Sequence, residues 1–241
     1  MQLAPREART STSRPEDVYL LLLWFPSHYS VVVSGPPGVG KFEYVVMQMR
    51  DCLSVGERVI FVALDVHPTD VRHRALPLGL DLSEYEGTSF AFVDCYGAAA
   101  GESVDPGAPG RVFPVSSYSN LEGIDMAIHR AAQAIGLPVR IFVYTVSTLF
   151  LHSPATSIAK FLQVVTARVK TNLGFIMYAV HEGVHDPLTF NLLRALTDGV
   201  IEMRFDEQMN KELRMHHMRG YRVLPVWHRF NQLPIPVGDF S

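Results

Sequence analysis

Residues 34–44 read SGPPGVGKFEY, and the reading of this stretch decides the fold. From Gly35 to Lys41 it fits Gly-x-x-x-x-Gly-Lys, a loop whose backbone N–H groups cradle phosphates while its lysine reaches the outer ones. The Ser or Thr that normally follows the lysine, and whose hydroxyl would hold Mg2+, is replaced by Phe42. Residues 29–33 (YSVVV) form a short β-branched run that leads into the loop, and residues 41–53 continue as a helical stretch. Strand, loop and helix therefore follow in the order that a phosphate loop requires. Gly35, Pro36, Pro37, Gly38, Val39, Gly40, Lys41 and Phe42 form the candidate nucleotide-binding set. The N–H groups of residues 38–42 would converge on phosphate oxygens, and the N-terminus of the following helix would add about half a positive charge.

The rest of the chain repeats the alternation of strand and helix. Residues 58–64 (RVIFVAL), 89–96 (SFAFVDCY), 140–147 (RIFVYTVS) and 175–180 (FIMYAV) read as strands apolar on both faces. Between them, Pro68 opens a helical segment that reaches Gly79. Asn120 caps a helix to about Ile135, with Leu121, Ile124, Ile128, Ala131 and Ile135 on one stripe. Ser153-Pro154 opens another helix to about Asn172, and Pro187 to Leu196 is helical. Residues 97–110, rich in Gly, Pro and Ala, read as a surface loop. Past Asp198-Gly199 a strand over 200–205 precedes LRMHHMRGYRV and WHRF, which alternate as strands and extend the sheet antiparallel. Two-faced apolar strands separated by helices predict a three-layer α/β/α sandwich, mainly parallel, whose ligands lie at the carboxyl ends of the strands. Residues 1–16 read as a flexible arm and 17–241 as a single domain.

Composition bounds the function classes. The 241 residues are 48% hydrophobic and 19% charged, which is too apolar for disorder. The longest apolar run, VYLLLLWF at 18–25, falls well short of the ~20 residues of a membrane span and reads as a buried element. Cys52 and Cys95 lack metal-ligand spacing and read as core residues in a reducing compartment, so a cytoplasmic location is expected. A net charge of −3 argues against a broad nucleic-acid surface. Residues 204–229 are a local exception, with six Lys or Arg against three acids; a solvated face is the ordinary explanation of such a run.

A second metal contact would come from an acidic residue at a neighbouring strand end. Judged by spacing, Asp94 offers itself, although an Asp that caps a loop fits the same place; the fourth strand ends in Tyr144 and Thr145 instead.

GPPGVGK, GERVIFVALDVHPTDVRHRALPLGLDL, RIFVYTVSTLFL, DGVIEMRF and KELRMHHMRGYRVLPVWHRF together resemble, in order over residues 29–230, the KaiC-like branch of RecA-type ATPases, particularly single-domain archaeal members. The resemblance implies a RecA-like fold, ATP held at subunit interfaces, and ring or filament assembly. Carried over position by position, it puts the metal-holding Asp on Tyr144 and the loop hydroxyl on Phe42. The acidic pair that activates water falls on Asp65 and Val66, leaving Asp65 as the catalytic candidate. The basic pair that reaches a neighbour's outer phosphate falls on His217 and Arg219. His181 falls where a phosphate-sensing polar residue would lie, and a surface role is the alternative for it. The run LLLLWFPSHYS before the first strand departs from the glycine-rich run of the family.

The expectation is therefore a degenerate KaiC/RecA-like protein, a structural or regulatory subunit with weak or no ATP hydrolysis. It would assemble with itself or with a related ATPase, its loop either holding ATP without Mg2+ or keeping only the shape of such a loop, and have no membrane partner. Two alternatives stand beside it: an ATPase with a rearranged metal site built on Asp65 or Asp94, and a DNA-recombination accessory using the basic segment.

Overall fold

A computed structural model describes residues 25–99, 112–185 and 187–230. The arm assigned to 1–16, most of the apolar run at 18–25, and most of the 97–110 loop lie outside the described residues.

Strand β1 (Ser30–Gly35) leads through the glycine loop into helix α1 (Lys41–Ser54). There follow β2 (Arg58–Ala63), α2 (Pro68–Ala75), β3 (Phe90–Asp94), β4 (Val112–Pro114), α3 (Leu121–Ile135), β5 (Val139–Tyr144) and α4 (Ala155–Arg168). The chain closes with β6 (Gly174–His181), α5 (Pro187–Leu196), β7 (Gly199–Phe205), β8 (Lys211–Met218) and β9 (His228–Arg229). Among the described residues the strands form one sheet in the order β4-β3-β2-β5-β6-β1-β7-β8-β9. Neighbours are parallel as far as β7, and β8 and β9 are antiparallel.

Alternation along each strand sorts its residues between two cores. Val31, Val33, Phe61, Phe92, Phe142, Met177 and Ile201 face α1 and α2, whereas Val32, Ile60, Val62, Val93, Ile141, Val143, Ile176 and Val200 face α3, α4 and α5. With both faces covered, polar groups of the central strands have access to water only at the strand ends, where the chemistry collects.

Most sequence expectations hold. Asn120 caps α3 by accepting a hydrogen bond from the Gly123 N–H at 2.9 Å. Pro68 opens α2, although the helix stops at Ala75 and a 3-10 turn, Leu76–Leu78, carries the chain to Gly79. Strand β5 ends at Tyr144, short of the predicted 147, because Val146–Leu151 winds into 3-10 turns. Strand β4 was not foreseen: three residues, the last of them proline, carry no period. A helical turn, Tyr96–Ala99, begins where the surface loop was expected.

At the amino edge of the sheet Asp198 ties four elements together. Its carboxylate accepts from the backbone N–H and Oγ of Ser30 (3.1 and 2.9 Å), pairs with Lys170 Nζ at 2.5 Å and accepts from Arg219 Nη1 at 2.8 Å. Burial alone would raise this carboxyl, but the hydrogen bonds from Lys170 and Ser30 outweigh it and hold the group below the usual carboxylate range. In Asp198→Ala the two cations can turn to water, while Ser30, fully buried, loses the acceptor of its backbone N–H and of its hydroxyl proton. The expected loss is about 2–3 kcal/mol, read as a lower urea midpoint at unchanged slope.

Candidate functional site

The loop is built for close approach. A Cβ on Gly35 would lie 2.5 Å from the Met203 carbonyl oxygen of the adjoining strand, so only glycine fits. Gly40 has φ of 107°, and a Cβ there would meet the Phe230 ring at 2.9 Å. Phe230, delivered by β9, lies buried against the loop and edge-on to Tyr44 of α1. The Lys211 side chain runs beside the same glycine. Neither Phe230 nor Lys211 was singled out by sequence reading; the apolar end of WHRF was the available signal.

Lys41 is only 3% exposed, and its ammonium is folded onto its own loop, donating to the carbonyls of Gly35 (2.6 Å) and Pro36 (2.7 Å). Desolvation pulls its pKa down to about 8, against the opposing fields of Glu182, Asp65 and Glu43. Glu182, immediately after β6, is itself raised by burial and by Glu202.

Phe42 occupies the first turn of α1 and is 2% exposed. Tyr144 shares the strand parity of Phe142 and so points to the α1 side, where its ring meets that of Phe42 edge-on at 5.4 Å and stacks on Phe61 at 6.2 Å. The guanidinium of Arg74, from α2, lies over the Phe42 ring at 3.7 Å from its centroid. Burial drives the Tyr144 hydroxyl well above its ordinary value, reinforced by Asp65 and Glu43 and opposed by Arg74. The two positions read as lost metal contacts are thus in contact with one another. Mg2+ demands oxygen ligands in octahedral array, and aromatic carbon fills this space; the donor set does not fit the metal. Among the described residues no cluster of three His, Cys, Asp or Glu could hold an ion.

Asp65 follows β2, accepts from Thr145 Oγ1 at 2.9 Å and lies 3.6 Å from His181 Nε2. Asp65 Oδ1 and His181 Nδ1 are buried without a hydrogen-bond partner. Ser147 joins this polar edge by accepting from the His181 backbone N–H and bonding His185 Nε2 at 2.8 Å. The structure therefore brings Asp65 and His181 together at the carboxyl edge, with Val66 buried beside them in the core. Asp94 stands apart on β3, four strand positions from the loop-bearing β1. Its Oδ1 accepts from the N–H groups of Tyr96 and Gly97, so the loop-capping reading is the one realised.

His217 lies near the end of the antiparallel β8, and Arg219 directly follows it. Gly35 lies level with Met203, whereas Arg219 bonds Asp198 at the opposite end of the sheet. Five residues at ~3.3 Å separate the two levels, roughly 16 Å, so neither side chain serves the loop of its own chain. Burial, with His216, Arg194 and Arg219 nearby, lowers the His217 pKa, leaving a neutral imidazole near neutral pH. Within the basic segment, Arg204 pairs with Glu212, Arg214 with Glu202 and Arg219 with Asp198. At least half of the positive charges of 204–229 are thereby paired within the chain.

Comparisons with known proteins agree with the fold. The sequence model of the KaiC ATPase family matches residues 23–236. A UPF0273 protein of Aeropyrum pernix is 27% identical over 237 residues, covering 96% of this chain and 91% of that protein. Another from Pyrococcus furiosus is 28% identical over 218 residues, covering 88% and 85%. The crystal structure of a KaiC-like protein from Pyrococcus horikoshii superposes with a TM-score of 0.66 at 18% identity, covering 86% of this chain and 87% of that one. The fold is accordingly RecA-like. No helix among the described residues is long and apolar enough to cross a membrane.

The depressed Lys41 pKa fixes the sign of a stability effect. Between about pH 8 and the unfolded value of 10.5 the unfolded chain binds the extra proton, so this lysine makes stability rise with pH across that window. Subtracting the pH profile of Lys41→Met from that of the wild type, by urea unfolding at pH 7.5 to 10, is expected to leave this rise. A flat difference would place the lysine in water.

Proposed function

The chain belongs to the KaiC ATPase family, and from that premise we propose that it holds a nucleotide without Mg2+, turns it over weakly or not at all, and serves as a structural or regulatory subunit beside copies of itself or an active relative. The contact between Phe42 and Tyr144 carries this reading. In phosphoryl transfer the metal bridges the outer phosphates and neutralises the charge that develops on them, and a loop without hydroxyl or carboxylate has no ligand to hold it. Binding asks less. Gly35–Lys41 keeps the shape that accepts phosphate, and Lys41, now closed on the carbonyls of Gly35 and Pro36, is a cation available to a stronger anion.

On the water side, Asp65 remains as the carboxylate, but it is committed to Thr145 and neighbours His181, and Val66 supplies no second base. A single short carboxylate without metal supports at most slow turnover. His217 and Arg219, about one protomer's sheet length from their own loop, suit a contact to the phosphates of an adjoining subunit, which is the basis for the assembly.

Calorimetric titration with ATP tests the proposal. Affinity in EDTA is expected within about threefold of that in Mg2+, since no protein ligand depends on the metal. Lys41→Ala should weaken binding at least tenfold by removing the one buried cation of the loop. Mg2+-dependent ATP turnover that disappears in Lys41→Ala would overturn the proposal.

A further inference from the structure

We propose that Arg74 takes over the charge of the missing divalent cation and binds the outer phosphates of a metal-free nucleotide. The inference rests on the reading above and names the residue that makes it workable. A triphosphate seated without Mg2+ carries its full negative charge, and Lys41 with the helix N-terminus offsets only part of it.

Helix α2 presents two arginines with opposite fates. Arg72 is spoken for: its Nε donates to Glu86 Oε1 at 2.6 Å, and it lies over Phe92. Arg74 is exposed and has no carboxylate partner among the described residues. Asp65 and Glu43 lie in the same neighbourhood, both acting on Tyr144, yet neither makes an ion pair with Arg74. What holds the guanidinium is the Phe42 ring, 3.7 Å away. Stacking on a ring face leaves the five N–H donors of an arginine directed sideways and free for acceptors. Phe42 is the residue directly after Lys41, so the guanidinium is held on the side chain that adjoins the loop lysine. The residue that removes the metal's hydroxyl ligand is therefore the residue that seats a replacement cation. A planar guanidinium also grips two phosphate oxygens at once, which a lysine would not.

The experiment is titration of the full-length chain in EDTA with ATP, AMP and inorganic tripolyphosphate as separate probes. Arg74→Ala is expected to weaken ATP and tripolyphosphate about 10- to 100-fold, the range for losing a charge-assisted pair, and to leave AMP within about twofold. Arg74→Lys should recover part of the loss. Arg74→Gln, which still covers Phe42 but lacks charge, should behave as Arg74→Ala and serves where the alanine variant fails to fold. Unchanged ATP affinity in a folded Arg74→Gln overturns this inference and leaves the metal-free reading standing. An equal loss for AMP assigns Arg74 a merely structural role and overturns it too. Wild-type protein that takes up ATP only with Mg2+, or not at all, removes the underlying reading and this inference together.

Discussion

The central sheet buries both its faces, and the rest of the molecule is arranged around that constraint. Strands β1, β2, β5 and β6 offer water nothing but their ends, so every polar group with work to do is pushed to an edge. At the amino edge this produces the Asp198 junction, where Lys170, Arg219 and Ser30 converge on one carboxylate. At the carboxyl edge it produces the glycine loop, Asp65, His181 and Glu182. The two edges have different characters among the described residues: at the first the Asp198 carboxylate is paired on both oxygens, while the second contains orphaned atoms on Asp65 and His181 and a lysine that donates to carbonyls of its own loop.

The aromatic pair at the carboxyl edge is best understood as one change rather than two. A carboxylate at position 144 set against a buried phenyl ring at 42 would lose its water, and a hydroxyl at 42 beside a tyrosine would lose packing. With both aromatic, the contact is worth about 0.5–1.5 kcal/mol beyond the area it buries. Arg74 then finds a ring to lie on, and Tyr144 finds Phe61. The contact thus carries the hydrophobic core of the α1 face up to the residue that follows the loop lysine.

Much of this was legible in the sequence where a local signal existed. Apolar runs with both parities filled marked β2, β5 and β6, and the Asn120 cap with its apolar stripe marked α3 to the residue. The failures have physical causes. The apolar stretch after Tyr144 reads as more strand because hydrophobicity alone cannot tell an extended segment from the 3-10 turns of Val146–Leu151. Asp94 sits at a strand end in either role, and only the positions of the Tyr96 and Gly97 N–H groups reveal a cap. Phe42 and Tyr144 were recognised singly as departures, but their contact depends on strand parity and the path of α1. Arg74 gave no signal, because an exposed arginine on a short helix acquires meaning only from the ring it covers.

Phe230 lies against Gly40, and β9 is what carries it there. A growing polypeptide emerges from its amino end, and the loop is among the first parts of the domain to be made. Its last wall is supplied by a residue 190 positions later, so through nearly all of synthesis the loop stands open on that side. Whatever settles in a nascent loop meets a different shape from the one presented once the last described strand, β9, has brought Phe230 against Gly40.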